Sequence, residues 1–238
     1  MTNIALVIAG GSGHRMGQDI PKQFMIINEK PVIIYTLEAF EKHPLIDYIL
    51  VACIEGWEQT LRTYAKQYNI TKLRYVVPGG ENGQSSIRNG LFELEKHFSS
   101  DDLVLIHDGN RPMLSSEIIS DNIRVARQYG NAITAIPCYE AILQTDDGIV
   151  SANSYPREHL RRTQTPQAFL LGDICELHRR AIDKGITNSV ASCTLKIEMG
   201  EQVFFSAGSE KNIKLTTVED IDVFKALLAA KRSDWPKD

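Results

Sequence analysis

Five short apolar runs, at residues 4–8, 48–52, 73–77, 103–106 and 132–136, alternate with four longer segments at 31–42, 57–67, 86–97 and 116–129. The short runs read as buried strands; the longer segments carry apolar residues at spacings of three and four, the mark of an amphipathic helix. Strand and helix in strict alternation leave few folds open. They imply βαβ units and an α/β architecture with a mainly parallel, doubly wound, Rossmann-like sheet. The helix at 116–129 has Ser115 or Ser116 to cap it and Glu117 in its first turn.

The alternation breaks after Pro137. Residues 141–145 and 149–152 flank Asp146-Asp147-Gly148, which reads as a hairpin around an Asp-Gly turn. A polar, basic stretch at 155–162 follows, and the shift in composition predicts a β-arm at about 138–163 projecting from the α/β body. A helix at 172–184, a strand at 202–206 and a closing helix to about 231 complete the chain. Thr217-x-x-Asp220 opens that last helix as a near capping box. Ile221, Phe224, Leu227 and Leu228 share one of its faces, which reads as packing.

The chemistry concentrates in the turns. Ala9-Gly10-Gly11-Ser12-Gly13-His14-Arg15-Met16-Gly17 leaves the first strand, with Pro21-Lys22-Gln23-Phe24 close behind. Glycines let backbone N–H groups approach phosphate oxygens. Arg15 and Lys22 add two positive charges, and together these groups make a receptor for a triphosphate. Met16 stands where a dinucleotide loop needs its third glycine, and there is no G-K-[ST], so neither common phosphate loop is present. A dehydrogenase reading is further weakened because Ala52-Cys53, not an acidic residue, ends the second strand.

Two later loops leave strand ends on the same side of such a sheet. Gly79-Gly80-Glu81-Asn82-Gly83-Gln84-Ser85-Ser86 offers backbone amides and Ser86 to the edge of a base, or is a plain turn and helix cap. His107-Asp108-Gly109-Asn110-Arg111-Pro112 places an aspartate suited to Mg²⁺ beside an arginine suited to bidentate phosphate binding. His107 reads as a structural, hydrogen-bonding histidine, since no nucleophilic Ser or Cys completes a triad with it. A net charge of −4 without a basic block argues against nucleic acid or an anionic membrane as partner. Cys53, Cys138, Cys175 and Cys193 show no C-x-x-C spacing, and Cys53 and Cys138 read as buried free thiols. No signal peptide or membrane span is recognisable, so the expected location is cytoplasmic.

Taken in order, A-G-G-x-G-x-R-M-G, P-K-Q-F, G-G-E, H-D-x-x-R-P, the spacing from Arg157 to Thr165-Pro166-Gln167, and Asn212-Ile213-Lys214-Leu215-Thr216-Thr217 resemble one family nearly end to end. It is that of the cytidylyltransferases that make CDP-methylerythritol for isoprenoids and CDP-ribitol for wall and capsule polymers. The resemblance implies a single nucleotidyltransferase domain over residues 1–238, an Mg²⁺ requirement, and a homodimer in which each arm helps build the other subunit's site. It implies that Ala9, Gly10, Gly11, Ser12, Gly13 and Arg15 hold the CTP phosphates, with Lys22 at the α-phosphate. Gly80, Glu81 and Ser86 would face cytosine and ribose, and Asp108 would bind Mg²⁺. Arg111, Arg157, Thr165 and Lys214 would handle the polyol phosphate, with Arg15, Lys22, Arg157 and Lys214 forming the catalytic set. The reaction implied is in-line attack of a substrate phosphate oxygen on the α-phosphorus of CTP, releasing pyrophosphate.

Three positions depart from the family pattern. Gly83 replaces an arginine, and Glu140-Ala141 replaces an Asp-Thr pair near the start of the arm. Val190-Ala191-Ser192 stands where a second metal-ligating aspartate belongs. The alternatives kept open are an altered acceptor, a non-catalytic or regulatory nucleotide-binding homologue, and a nucleotidyltransferase using another NTP.

Overall fold

Every residue of β1 (Asn3–Ala9) except Ile8 is buried, so this strand is covered on both faces. Successive strand side chains point to opposite sides. Ala5, Val7 and Ala9 accordingly join one hydrophobic cluster, and Ile4 and Leu6 the other. A computed structural model describes residues 1–11 and 20–230 of the chain. After β1 come a 3-10 turn (Lys22–Phe24), the small hairpin β2 (Ile26–Ile27) and β3 (Lys30–Pro31), then α1 (Val32–Glu41), β4 (Tyr48–Cys53), α2 (Glu58–Gln67) and β5 (Leu73–Pro78). The chain continues through α3 (Gly83–Leu94), β6 (Leu103–Asp108), α4 (Ser116–Tyr129), β7 (Asn131–Pro137), β8 (Ile142–Gln144) and β9 (Asn153–Tyr155). It ends with β10 (Arg161–Leu170), α5 (Leu171–Asp183), α6 (Ser192–Glu198), β11 (Phe205–Ala207) and α7 (Val218–Ala230).

The main sheet has the order β11-β7-β10-β6-β1-β4-β5. All neighbouring pairs are parallel except those of β10, which runs against both β6 and β7. From β1 the chain moves out to β4 and β5, then returns to the other flank of β1 as β6. That reversal opens a crevice at the carboxyl ends of the strands, where doubly wound sheets bind ligands. Helices α1, α2 and α4 contribute to the cluster on one face, and α3, α5 and α6 to that on the other.

Each of the five foreseen parallel strands is present, longer by one to two residues, but the later part of the chain differs from expectation. Strand β10 was not foreseen, because its first half is polar and Pro166 cannot donate to a sheet ladder. The register shifts between Thr163 and Gln167, so the proline sits at the irregularity; the Thr165–Pro166 peptide is cis. Arg161 already pairs with Pro137, so the arm is confined to residues 138–160. Within it the second strand is Asn153–Tyr155, not 149–152, because Asp147 accepts the N–H groups of Ile149 and Val150 and winds them into the loop.

Helix α3 begins at Gly83 instead of Ser86. The Asn82 side chain accepts the Ser85 N–H while the Ser85 hydroxyl accepts the Asn82 N–H. The last strand is Phe205–Ala207, and helix α6 was not foreseen. The capping box before α7 is present: Asp220 accepts the Thr217 N–H at 2.8 Å, and Asp220 N–H donates to Thr217 Oγ1. Ile221 and Phe224 are buried in a third cluster, with Leu227 and Leu228 packed against it. All four cysteines are buried and free, with burial raising the Cys53 and Cys175 thiols to about 12.

Candidate active site

Two glycine loops close on each other at the mouth of the crevice. A Cβ on Gly10 would lie 2.8 Å from Ser86 Oγ, and one on Gly79 would lie 2.8 Å from the Gly10 Cα. Only glycine permits this approach, which brings the end of β1 against the end of β5. The Ser86 hydroxyl accepts the Gly80 N–H and donates to Asn82 O, fixing the second loop. A cavity of about 530 Å³ opens between the loops. Ala9, Gly10, Gly11 and Lys22 line it on one side, Gly80, Glu81 and Ser86 on the other, with Asp108 and Lys214 at one end. Ser12, Gly13 and Arg15 lie outside the described residues.

A second cavity, of about 230 Å³, adjoins the first and shares Asp108 and Lys214 with it. Arg111 and Thr165 line it, and so do Val190, Ala191 and Ser192, so the departing segment faces the same space as Asp108. Arg157 lines neither cavity. It sits on an exposed 3-10 turn (Arg157–His159) within the arm, after β9, and donates to Tyr139 O.

Asp108 is the electrostatic hinge between the cavities. Its Oδ2 accepts from Arg111 Nε at 2.9 Å and its Oδ1 from Lys214 Nζ at 3.1 Å. Burial pushes its carboxyl pKa up, but the charges of Lys214 and Arg111 outweigh burial and hold it at about 2. Arg111 also donates to Asn212 O at 2.8 Å, which leaves the rest of its donor fork for an anion. Thr165 Oγ1 accepts the Asp108 N–H and lies 3.0 Å from His107 Nδ1. Nε2 of His107 donates to Arg111 O. These bonds suit a neutral imidazole, and burial pushes its pKa down to about 4. The histidine therefore orients the loop, as its surroundings in the sequence implied, and Thr165 keeps only one lone pair for a ligand.

Three amide side chains stand in the motifs quoted above without a role assigned to them from the sequence. Gln23 donates to Ala9 O and Gly11 O. Asn212 donates to Thr165 O at 2.8 Å. Gln84 donates to Ile186 O and accepts the Ser189 N–H, tying the start of α3 to the loop before α6. Gln23 and Asn212 each lie within two residues of a lysine already singled out, and that adjacency was the available signal.

Among the described residues no three His, Cys, Asp or Glu side chains cluster as metal ligands. Mg²⁺ needs only one or two carboxylates when substrate phosphates complete its shell. Ionised Asp108 fits that requirement, and Val190-Ala191-Ser192 supplies no second carboxylate.

Residues 3–230 match the family model described as 2-C-methyl-D-erythritol 4-phosphate cytidylyltransferase. The ribitol-5-phosphate cytidylyltransferase of Lacticaseibacillus paracasei is 42% identical over 95% of this chain and 98% of its own length. The 2-C-methyl-D-erythritol 4-phosphate cytidylyltransferase of Geotalea uraniireducens is 37% identical over 97% and 98%. Among solved structures, the Francisella tularensis 2-C-methyl-D-erythritol 4-phosphate cytidylyltransferase superposes with a TM-score of 0.80 at 26% identity, covering 95% of this chain and 99% of that one. The 4-diphosphocytidyl-2C-methyl-D-erythritol synthase of Anaerococcus prevotii gives 0.82 at 25% identity, covering 96% of each.

Proposed function

The chain belongs to the 2-C-methyl-D-erythritol 4-phosphate cytidylyltransferase family, and from that premise we propose that it converts CTP and ribitol 5-phosphate to CDP-ribitol and pyrophosphate. The observation that carries the proposal is the pair of adjoining cavities sharing Asp108 and Lys214. One is walled by two glycine loops, as a nucleoside triphosphate requires, and the other is edged by Arg111, as a phosphate monoester requires. Ribitol 5-phosphate is preferred as acceptor because two relatives named for it, from Lacticaseibacillus paracasei and Vibrio parahaemolyticus, are 42% identical, against 37% for the methylerythritol phosphate enzyme of Geotalea, although those of Streptococcus agalactiae are 36% identical.

In this reading the CTP phosphates lie along Ala9–Gly11 and Lys22, and the base and ribose face Gly80, Glu81 and Ser86. Arg111 and Lys214 hold the acceptor phosphate, with Thr165 accepting one further hydrogen bond. A phosphate oxygen of the acceptor forms a bond to the α-phosphorus as the bond to the β-phosphate bridge breaks, and pyrophosphate leaves in line. The acceptor phosphate is already a nucleophile, so no general base is needed. Lys22 and Lys214 flank the reacting group and offset the charge that builds on it. Asp108 would hold Mg²⁺ together with the triphosphate, and the ion would supply further positive charge to the phosphate oxygens.

The same reading makes the protein a homodimer. The arm strands β8 and β9 form a separate two-stranded sheet with every residue exposed, and Leu143 on β8 and Ile149 and Val150 in the loop between the strands are exposed apolar side chains of the arm. A partner packed on that arm would cover them and bring Arg157 to the partner's second cavity. No described helix is long and apolar enough to cross a membrane, and we place the enzyme in the cytoplasm. The test is pyrophosphate release by purified protein with each of the four NTPs over a panel of polyol phosphates. Turnover of ribitol 5-phosphate with CTP alone supports the proposal. CTP binding without turnover of any acceptor would instead favour the non-catalytic reading, for which the missing carboxylate at Val190-Ala191-Ser192 speaks.

A further inference from the structure

Gln23 is 2% exposed and stands in the 3-10 turn directly after Lys22. Its Nε2 donates to Ala9 O at 2.8 Å and to Gly11 O at 2.9 Å. A side-chain amide nitrogen has two N–H donors, so both are spent on the first glycine loop. Ala9 O also accepts the Ile54 N–H at 3.0 Å, which engages both of its lone pairs. A planar trans peptide holds its N–H opposite its C=O. With the Ala9 carbonyl turned to Gln23 and Ile54, the Gly10 N–H faces the other way, and among the described residues nothing accepts it.

We propose that Gln23 is a positioning residue for the nucleotide: it draws the carbonyls of the glycine loop inward, so that the loop presents N–H groups instead of oxygens to the triphosphate. This rests on the CTP reading above. A carbonyl turned into the cavity repels a phosphate oxygen, whereas an N–H binds it. The same 3-10 turn carries both Gln23 and Lys22. Phe24, the turn's last residue, stacks on Trp57 with ring centroids 4.7 Å apart and anchors it to the core. The side chain length is critical, because asparagine is one methylene short of reaching both carbonyls. Glutamate keeps the length but, when ionised, has no proton to donate.

The test is Gln23→Met, which keeps the length and volume and removes both donors. CTP affinity by calorimetry should weaken about ten- to hundred-fold, the effect of two lost hydrogen bonds, while the acceptor KM at saturating CTP stays at the wild-type value. A folded variant with wild-type CTP affinity overturns the proposal. So does one in which the CTP and acceptor constants worsen together, which marks a merely structural role. If the methionine variant does not fold, Gln23→Glu is read in the same way, with the same split expected and the same results overturning it. Wild-type protein that binds no CTP overturns the functional reading beneath the proposal, and is thereby told apart from failure of the Gln23 assignment.

Discussion

Asp108 Oδ1 and Lys214 Nζ lie 3.1 Å apart although 106 residues separate them in the chain, and this ion pair stands where the two cavities meet. Asn110 holds the pairing in place: its Nδ2 donates to Leu215 O at 2.6 Å, and its backbone carbonyl accepts the Leu215 N–H at 2.9 Å. The loop after β6 and the segment before α7 are thus zipped together, and the charges at their tips face the junction of the two cavities.

Lys214→Met should lower kcat about a hundred- to thousand-fold, the usual cost of losing one group that stabilises charge in a transition state. The fold should survive, since the Lys214 side chain is 43% exposed. Steady-state kinetics with CTP and ribitol 5-phosphate, alongside a thermal unfolding curve, check both parts.

Gly10→Ala should abolish CTP binding while leaving the sheet intact. The added methyl would meet Ser86 Oγ at 2.8 Å and the Gly79 Cα at 3.2 Å, forcing the two loops apart. Among the described residues an alanine methyl at Gly11 meets nothing within 4 Å, and Gly11→Ala should bind CTP far more nearly as wild type does. Calorimetric titration of the two variants with CTP makes the comparison.

Stability should fall on acidification in two stages. His107 and His178 are held neutral by burial, both pushed from 6.5 to about 4. The unfolded chain takes up protons below 6.5 that the fold refuses, so their contribution is full above 6.5 and is lost as pH falls towards 4. Asp108, lowered from 3.8 to about 2 by its cations, contributes above 3.8 and loses that contribution as pH falls towards 2. Neither ring nitrogen of His178 has a partner among the described residues. His178→Leu should therefore flatten the upper stage in urea melts between pH 7.5 and pH 4.5.

The dimer proposal predicts complementation. Arg157→Ala and Lys214→Met homodimers should each be nearly inactive. Mixed and allowed to exchange subunits, they should regain activity, because one heterodimer site then carries both intact side chains. Activity that stays at the level of the separate variants would place Arg157 in its own subunit's site.

The strand–helix alternation made β1, β4, β5, β6 and β7 legible, because each carries an apolar run, buried in β1, β4, β6 and β7 and half-buried in the edge strand β5. Strand β10 escaped because Arg161, Arg162 and Thr163 are exposed at the edge of the crevice and Pro166 falls at a register shift. Hydrophobic periodicity cannot register a strand built this way. Asp108 and Arg111 were singled out because their types suit Mg²⁺ and phosphate, and Lys214 through the family resemblance; the structure brings the three side chains together. Gln23, Gln84 and Asn212 were not singled out, because neutral amides act here through backbone carbonyls and N–H groups, and those partners exist only once the chain is folded.

The most direct test of the account is the acceptor preference of the purified enzyme, read as pyrophosphate release with CTP. The account predicts a much higher kcat/KM for ribitol 5-phosphate than for 2-C-methyl-D-erythritol 4-phosphate. Equal or better turnover of the methylerythritol phosphate would contradict it.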